Sequence, residues 1–372
     1  MRCLLLLATA LSLAALSIPA RADLPTRRDP RLVVAYTSDR IWNGVATTPD
    51  GRLFACFPSA DRPGLQLAEL AKDGSARAYP DIAWNSWQPG DDPASAFVHV
   101  NSVRLGPDGK LWVVDAGAPG IGKAPVPGAA RLIAIDLATN TVVKAYDLSP
   151  ATRETSYIDD VRFHGNRAYL TDAGAPALLV LDLADVKPRR VLAGNPAATD
   201  LRPMRADGKV LRDGAGREVR IHADQIEISP DGRYVYFQPA SGPLARIERR
   251  WLDDPTLDAP ALAARVEAAW VDTPTSGGTA IDADGNLYYG DADGRRILMI
   301  APSGTVTTLV EDPRLVWTDA LWIDSQGWLW IPAAQLNRSR GLNGGRDGVR
   351  YPVELLKMKL PPGTRPAPND HP

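Results

Sequence analysis

A short hairpin pattern recurs six times along the chain and constrains its fold more than any other feature. Its clearest copy lies in residues 100–117, where Pro-Asp-Gly separates two apolar, β-prone runs. Asp-Gly in this setting predicts a tight turn, because glycine accepts the positive φ that such turns require. The turn glycines of the six copies are Gly51, Gly109, Gly165, Gly232, Gly285 and Gly327. In the third copy, His-Gly-Asn replaces Asp-Gly.

The number and spacing of these copies predict an all-β, six-bladed β-propeller. Successive turn glycines lie 58, 56, 67, 53 and 42 residues apart, a little above the roughly 40–50 residues of common propeller repeats. Residues 32–37 form a strand-like run with no hairpin partner nearby, and a further strand-like run follows the sixth hairpin. We therefore predict a propeller over residues 32–360, closed by the N-terminal strand joining the last blade, which removes the free sheet edges.

The two ends of the chain are predicted to lie outside the propeller. Residues 1–22 combine an early positive charge, an apolar run and a final Ala-Arg-Ala, as in a cleaved signal peptide. The alternative is a buried N-terminal helix. We expect cleavage near Ala22 and an exported protein, periplasmic or extracellular. Residues 23–31 are then a polar leader, and the Pro-rich residues 361–372 a disordered tail.

Composition limits the classes of partner. The chain has 42 basic and 44 acidic residues and a net charge of −2, which predicts no nucleic-acid face and no polybasic membrane anchor. Loss of Cys3 with the signal peptide leaves Cys56 alone, which excludes an intramolecular disulfide and a Cys-based metal site. We expect a monomer whose partner is a small molecule.

Three segments interrupt the repeat. An insertion at residues 194–220 accounts for the longest spacing, and residues 335–350 form a basic, Gly-rich loop in the sixth blade. Loops of this length in a compact domain are usually functional or disordered. Residues 259–269 carry a proline near their start and an apolar spacing near 3.6, which predicts the only helix.

One repeated position supplies most of the candidate site residues. Five of the six copies have an amide or a carboxylate side chain eight residues before the turn glycine, or at the equivalent position. In the third copy, whose connection is two residues shorter, the equivalent position lies six residues before the glycine. The set is Asn43, Asn101, Asp159, Asp224, Gly277 and Asp319. Innermost strands line a propeller's channel, so these residues should rim one mouth. Oxygen ligands suit Ca²⁺ or Mg²⁺, and the candidate metal ligands are Asn101, Asp159, Asp224 and Asp319. The alternative is that they cap strand ends or hold water.

The candidate catalytic and ligand-binding residues lie close to this position. His99 and His222 come two residues before it, on the same side of an extended chain, and histidine suits proton transfer near neutrality. With Asp160 they are the candidate catalytic residues; the alternative is that both histidines pack in the channel wall. The candidate ligand-binding residues are Trp317, Tyr157, Trp42 and Gln225, since aromatic rings near the mouth could stack on a flat ligand or simply pack in the core.

A second repeated acidic position has a structural interpretation. Asp115, Asp172 and Asp291 end the second strands of three blades. Repetition at a fixed position predicts a turn in which the carboxylate bonds to the following backbone. The chain has no GxSxG, P-loop or HExxH motif.

Five segments resemble the Yellow/major royal jelly protein family, in its bacterial, dopachrome-tautomerase-related branch. They are KLWVVDAG (110–117), YIDDVRF (157–163), HADQIEISPDGRYVYF (222–237), GGTAIDADGNLYYGD (277–291) and WTDALWIDSQGWLWIP (317–332). The resemblance implies a secreted six-bladed propeller whose relatives include proteins linked to dopachrome conversion. Other relatives bind small amines or sterols without known catalysis, so membership predicts the fold better than the activity.

A looser resemblance is to the SMP-30/gluconolactonase propellers, which are metal-dependent lactone hydrolases. Their first-blade glutamate ligand corresponds here to Asn43, which weakens the analogy. Three functional hypotheses follow. The first is a small-molecule-binding propeller with isomerase or tautomerase activity on an aromatic amine or catechol-derived ligand. The second is a lactone or ester hydrolase that uses Ca²⁺ or Mg²⁺ in the channel, and the third is a non-catalytic binding scaffold that uses the two long loops.

Overall fold

Six four-stranded antiparallel sheets make up nearly all of the regular structure. The computed structural model describes residues 23–365, so the predicted signal peptide lies outside the described residues. The first strand within these residues is β1 (Val33–Ser38). Blade one contains β2 (Gly44–Thr47), β3 (Leu53–Cys56), β4 (Leu67–Leu70) and β5 (Ala76–Ala78). Blade two contains β6 (Val100–Leu105), β7 (Leu111–Asp115), β8 (Arg131–Asp136) and β9 (Thr141–Asp147). Blade three contains β10 (Ile158–His164), β11 (Arg167–Asp172), β12 (Ala177–Asp182) and β13 (Pro188–Val191).

The second half of the chain repeats this arrangement after a small hairpin. The hairpin strands are β14 (Arg205–Ala206) and β15 (Lys209–Val210). Blade four contains β16 (Ala223–Ile228), β17 (Tyr234–Pro239), β18 (Leu244–Glu248) and β19 (Glu267–Val271). Blade five contains β20 (Thr279–Ile281), β21 (Leu287–Asp291), β22 (Arg296–Ile300) and β23 (Val306–Glu311). The last blade contains β24 (Trp322–Ile323), β25 (Trp328–Pro332) and β26 (Val353–Lys359).

The N-terminal strand completes the last blade, as the sequence predicts. The strand order in that sheet is β1-β26-β25-β24, and β1 pairs antiparallel with β26 from Val33 opposite Lys357 to Ser38 opposite Val353. Blades one and six also meet near the axis, where the amide of Ala320 donates to the carbonyl oxygen of Asn43 at 3.0 Å. The six-bladed propeller and its closure are therefore confirmed.

Helical structure is sparse and differs in part from the prediction. The α-helices are α1 (Arg249–Asp253) and α2 (Ala259–Ala263), and the 3₁₀ turns are Ala83–Asn85, Pro93–Ser95, Ser149–Ala151, Pro196–Ala198 and Leu336–Arg338. The helix predicted over residues 259–269 ends at Ala263, and α1 was not predicted. Asp258 caps α2 by accepting from the amide of Ala261 at 2.8 Å, but Glu267–Val271 must supply the fourth strand of its blade. Strand pairing overrides the local helical pattern there. Among the described residues, no helix is long and apolar enough to cross a membrane.

The core lies between successive sheets and is filled by large side chains on the second and third strands. Fully buried examples are Phe54, Tyr169, Phe237 and Tyr288. Cys56 is a free, buried thiol, as predicted. Burial of each of these side chains contributes about 1.5–3 kcal/mol to the free energy of unfolding. This packing between neighbouring blades holds the inner strands in place around the channel.

Carboxylates at the ends of second strands position the entries to the inner strands. Asp115 accepts hydrogen bonds of 3.0 Å from the amides of Val98 and His99 and pairs with Arg131 at 2.9 Å. Asp172 plays the same part in blade three, where it accepts from the amide of Tyr157 at 2.9 Å. The predicted bonds to the following backbone are also present: Asp115, Asp172 and Asp291 accept from the amides of Gly117, Gly174 and Gly294 at 3.2, 3.1 and 2.9 Å. The structural interpretation of this repeated aspartate is confirmed, and its bonds to the inner strands hold His99 and Tyr157 in place.

Candidate functional site

A cavity of about 680 Å³ opens at one mouth of the channel. All six positions of the repeated set line it: Asn43, Asn101, Asp159, Asp224, Gly277 and Asp319. Asp159, like Asn101 and Asp224, directly follows the first paired residue of its inner strand, so the two-residue shift in the third blade identified the equivalent residue. The size lies within the roughly 300–1,000 Å³ typical of small-molecule sites.

Four loops build the walls above this ring. They contribute Pro58–Ala60 from blade one, Pro119–Lys123 from blade two, Asp213 and Arg217–Ile221 at the insertion, and Leu336, Ser339, Gly341 and Leu342 from blade six. The last two loops are joined, because the amide of Gly344 donates to the carbonyl oxygen of Arg212 at 2.7 Å. Both long loops that the sequence identifies thus contribute to the cavity wall.

Three carboxyl groups form the floor. Asp159, Asp224 and Asp319 line the large cavity and also a much smaller one beneath it in the channel. Burial raises the pKa of Asp159 well above its usual value, and the neighbouring Asp224 raises it further by repulsion and by a hydrogen bond between the two carboxyl groups. Burial also raises the pKa of Asp224, to about 7. Two close carboxyl groups that cannot both ionise share one proton.

Asp319 completes the floor without a basic partner. Burial and the repulsion of Asp224 raise its pKa well above the usual value, although the amide of Ala320 and the indole of Trp317 donate hydrogen bonds that lower it. The indole Nε1 of Trp317 lies 2.9 Å from Oδ2 of Asp319. Near neutral pH the floor therefore holds both protonated and ionised carboxyl groups.

The amide members of the ring are bonded to each other and to their neighbours. Nδ2 of Asn43 donates to the carbonyl oxygen of Asn101 at 2.9 Å, and the hydroxyl of Tyr157 donates to Oδ1 of Asn101 at 2.9 Å. The thiol of Cys56 donates to Oδ1 of Asn43 at 3.3 Å. These bonds leave the carboxyl groups, rather than the amides, free to meet a ligand.

His99 lines the cavity, and the structure indicates that it is a neutral acceptor. It is buried, with its ring 5.3 Å from that of Tyr157 in an edge contact. Burial lowers its pKa, against the opposing effects of Asp115 and a hydrogen bond to the backbone of Pro119. Its Nε2 has no hydrogen-bond partner among the described residues, so the contact to Pro119 is made by Nδ1. His99 is thus placed as a neutral wall residue.

His222 does not line the cavity, although its repeat position matches that of His99. Its Nδ1 accepts a hydrogen bond of 3.1 Å from the amide of Asp200 at the base of the insertion. Burial lowers its pKa, while Asp200 and Asp172 raise it. The imidazole serves to anchor the insertion here, and its predicted catalytic role finds no support in this placement.

Asp160 is held in a buried ion-pair network below the floor. Its carboxylate lies 2.5 Å from Nη2 of Arg104 and 2.8 Å from Nη1 of Arg162, and Arg162 also pairs with Glu227 at 2.7 Å. Burial opposes ionisation of Asp160, but the charges of Arg104 and Arg162 outweigh it and lower its pKa. A permanently ionised, fully paired carboxylate is not suited to proton transfer near neutrality. The neighbouring Asp159 is better placed for the chemistry assigned to Asp160.

The four predicted ligand-binding residues divide into two pairs. Tyr157 and Trp317 line the cavity. Trp42 is buried and packs on Phe57 with ring centroids 6.3 Å apart, so it belongs to the core. Gln225 lines the smaller cavity beneath the large one. Its Nε2 contacts Asp224 and donates to the carbonyl oxygen of Ser276 at 3.0 Å. It therefore supports the floor rather than the wall.

A divalent cation fits these residues only in part. The floor carboxyl groups are suitable donors, but the amide oxygens of Asn43 and Asn101 already accept hydrogen bonds. Within residues 23–365, no three acidic, histidine or cysteine side chains are arranged so that they could hold one ion. As placed, the floor suits a shared proton better than a cation, and the metal set of Asn101, Asp159, Asp224 and Asp319 stays a prediction.

Sequence reasoning did not identify the charged residues of the walls. Lys123, Asp213, Arg217, Glu218 and Arg220 all line the cavity. The insertion was recognised by its length, but nothing in the repeat pattern indicates that it folds over the mouth. Lys123 lies in a Gly-Pro-rich connection of blade two that carries no repeat signal.

Fold and cavity together define a six-bladed β-propeller with a ligand-sized, acid-floored cavity at one channel mouth. The family model described as "Major royal jelly protein" matches residues 100–360. The chain belongs to this family. A sequence search of functionally curated proteins finds no match.

Solved structures with the same fold include enzymes and a calcium-binding protein. A gluconolactonase from Xanthomonas campestris is similar at a TM-score of 0.54 and 14% identity, over 89% of both chains. Regucalcin from Agrobacterium tumefaciens, a calcium-binding protein, is similar at a TM-score of 0.53 and 13% identity, over 91% of this chain and 97% of its own. A luciferin-regenerating enzyme is similar at a TM-score of 0.54 and 11% identity, over 91% and 96%. At these identities the likeness shows the fold alone.

Proposed function

We propose that this protein binds a small, ring-containing molecule in the cavity and catalyses a proton shift on it, as an isomerase or tautomerase. The observation that carries the proposal is the hydrogen-bonded pair of buried carboxyl groups, Asp159 and Asp224, at the cavity floor. Their raised pKa values suit general acid–base work near neutral pH. Tyr157 and Trp317 line the cavity and give part of its wall an aromatic character.

The chemistry needs no further reactant. The ionised carboxylate of the pair accepts a proton from one atom of the ligand, and the protonated partner delivers its proton to another atom. The ligand leaves as its isomer, and the pair again holds one proton. His99, neutral and held by Asp115 and Pro119, presents an acceptor that orients the ligand. Positioned acid–base groups of this kind accelerate proton transfer by about 10²–10⁴-fold.

The test is turnover by purified protein. Dopachrome conversion, followed by loss of its visible absorbance, is the first assay, and exchange of ligand hydrogen for solvent deuterium is the second. Asp159→Asn and Asp224→Asn should each lose about 100-fold or more in rate. Asp213→Asn, which changes a wall carboxylate of the same cavity, is the matched control and should retain activity. Floor variants that turn over like the unmodified protein would contradict the proposal.

A metal-dependent lactone hydrolase is the second candidate. The observation in its favour is that three repelling carboxyl groups share the floor, a charge that a divalent cation would neutralise. Elemental analysis of the purified protein, with the melting temperature and lactone hydrolysis measured before and after chelation, tests this candidate. Stoichiometric Ca²⁺ or Mg²⁺ and a lowered melting temperature would support it. Unchanged melting and activity would contradict it.

We also propose that the protein acts after export. The support is the sequence of residues 1–22, which has the charge, apolar run and Ala-Arg-Ala ending of a signal peptide. N-terminal sequencing of protein from cell fractions should find a chain that begins at Asp23 outside the cytoplasm. A full-length chain retained in the cytoplasm would contradict export.

A further inference from the structure

Positive charge is concentrated in the two long loops beside the cavity mouth. The insertion at residues 194–220 has six basic and four acidic residues, and residues 335–350 have four arginines and one aspartate, so together they carry a net charge of +5. The whole chain carries −2, which averages over this separation. The fold brings the two basic segments side by side, because the amide of Gly344 donates to the carbonyl oxygen of Arg212 at 2.7 Å.

The arginines of residues 335–350 are held on a fixed loop and lack acidic partners. Gln335 closes the loop, since its Nε2 donates to the carbonyl oxygen of Arg350 at 2.8 Å and its Oε1 accepts from the amide of Arg350 at 3.0 Å. Arg340, Arg346 and Arg350 are exposed, and none of the three forms a salt bridge within residues 23–365. Three guanidinium groups are thus presented to solvent, and phosphate groups are the anions that suit their geometry.

Exposed apolar and aromatic side chains lie beside these cations. Leu201, in the insertion, is 65% exposed. It lies next to the cavity wall, because Nη1 of the wall residue Arg220 donates to the carbonyl oxygen of Arg202 at 2.9 Å. Tyr351 directly follows the basic loop and is 43% exposed. A soluble polyanion contacts cations alone, whereas a bilayer surface also takes up apolar and aromatic side chains at the level of the headgroups.

We propose that residues 194–220 and 335–351 together dock on a membrane surface that contains anionic phospholipids. The guanidinium groups contact headgroup phosphates, and Leu201 and Tyr351 insert among the headgroups. The whole-chain charge predicts no polybasic anchor, but it is the local charge of these joined loops that meets the bilayer. The inference is independent of the chemistry in the cavity, so it can fail while the proposed function holds, and the reverse.

The opposite sign of a neighbouring connection gives the docking a direction. The connection between blades one and two carries Asp81, Asp91 and Asp92 and no lysine or arginine, so an anionic surface repels it. This connection also exposes Ile82, at 72%. An apolar side chain as exposed as Leu201 therefore lies in acidic surroundings, where the proposal expects no contact with the bilayer.

Vesicle flotation with the purified protein tests the charge contact. The protein should float with vesicles of phosphatidylcholine mixed with phosphatidylglycerol, should not float with phosphatidylcholine alone, and should be released by salt. Replacing Arg340, Arg346 and Arg350 together by glutamine should weaken binding by about 100-fold, at about fivefold for each cation. A control variant with the same net charge replaces three exposed lysines on or next to outer strands by glutamine and should bind normally: Lys72, Lys144 and Lys187.

A second pair of variants tests the apolar contact. Leu201→Ser should weaken vesicle binding by about fivefold to tenfold, because a partly inserted leucine is lost, whereas Ile82→Ser should bind like the unmodified protein. Absence of flotation with the anionic vesicles overturns the proposal, as does equal weakening by the arginine and lysine triple variants. Equal binding by Leu201→Ser and Ile82→Ser, with arginine-dependent capture on immobilised heparin, overturns the membrane in favour of a soluble polyanion.

Discussion

The indole of Trp317 donates a hydrogen bond of 2.9 Å to the carboxylate of Asp319, two residues further along the chain. Trp317 makes this contact with φ at 49°, a left-handed conformation that is unusual for a bulky residue and costs about 1–3 kcal/mol. Burial of the indole holds it there. The strained residue of blade six thus occupies the space beside Gly277, the repeat position of blade five, which carries no side chain.

Gly277 makes room for this contact, and a methyl group there should disrupt it. A Cβ at residue 277 would lie 2.7 Å from Nε1 of Trp317 and 2.8 Å from the carbonyl oxygen of Thr318. We expect Gly277→Ala to weaken ligand binding by about tenfold or more, because the indole must leave Asp319. Calorimetry and indole fluorescence measure the change. Gly120 lines the same cavity, and a Cβ there would have no atom within 4 Å, so the control variant Gly120→Ala should bind the ligand normally. Equal affinity of the two variants for the ligand would contradict the argument.

The floor carboxyl groups should make the folded state less stable as the pH rises. Burial raises the folded-state pKa of Asp224 from 3.8 to about 7, so between these values the folded protein binds more protons than the unfolded chain. The free energy of unfolding therefore decreases across that window, by at most about 4 kcal/mol. Asp224→Asn should be less sensitive to pH and more stable than the unmodified protein at pH 8. Urea denaturation at pH 5 and pH 8 measures this, and an unaltered pH dependence would contradict it.

Asp160 should respond in the opposite way to its neighbour Asp159. Its lowered pKa means that ionisation stabilises the folded state above the unfolded-state pKa and that this stability is lost on acidification. Asp160→Asn leaves Arg104 and Arg162 without their shared carboxylate, which should reduce the free energy of unfolding by about 3–5 kcal/mol at pH 7. Asp159→Asn should cost far less stability but reduce the turnover rate by about 100-fold or more. A stable Asp160→Asn protein with abolished turnover would restore the catalytic interpretation of Asp160.

The contrast between these adjacent aspartates shows what a sequence repeat can and cannot predict. The repeat aligns six hairpins and so predicts the fold, its closure and the ring at the mouth, including Asp159 after the two-residue shift. It does not separate Asp159 from Asp160, because the pKa of Asp160 depends on arginines supplied by strands of two blades, whereas that of Asp159 depends on burial and on the carboxyl group of Asp224 from another blade. His99 and His222 share a repeat position, yet their environments differ. The Nδ1 of His222 accepts a hydrogen bond from the amide of Asp200 in the insertion, whereas His99 lines the cavity. Partners that the repeat does not predict, such as these arginines and the amide of Asp200, decide the role of a repeated residue.

His222 should make the insertion sensitive to acid. Its Nδ1 accepts a hydrogen bond from the amide of Asp200, and a protonated imidazole cannot accept one. Asp200, Asp172 and Arg220 are the charged groups that affect it, and burial keeps its pKa below 6.5. Between that folded value and 6.5 the unfolded chain binds more protons, so stability decreases as the pH falls. The protection of amides in residues 200–221 against hydrogen exchange, taken relative to the intrinsic exchange rate at each pH, should therefore decrease on acidification from pH 7 to pH 5.

Two substitutions at this position separate the acceptor from the titration. His222→Gln keeps an acceptor for the Asp200 amide but does not titrate, so the protection of the insertion, relative to the intrinsic exchange rate, should be the same at both pH values. His222→Phe removes the acceptor, so exchange should be raised by about fivefold at pH 7, as expected for loss of one partly buried hydrogen bond. Acid-dependent exchange in His222→Gln equal to that of the unmodified protein would show that a different group, rather than His222, holds the insertion over the cavity.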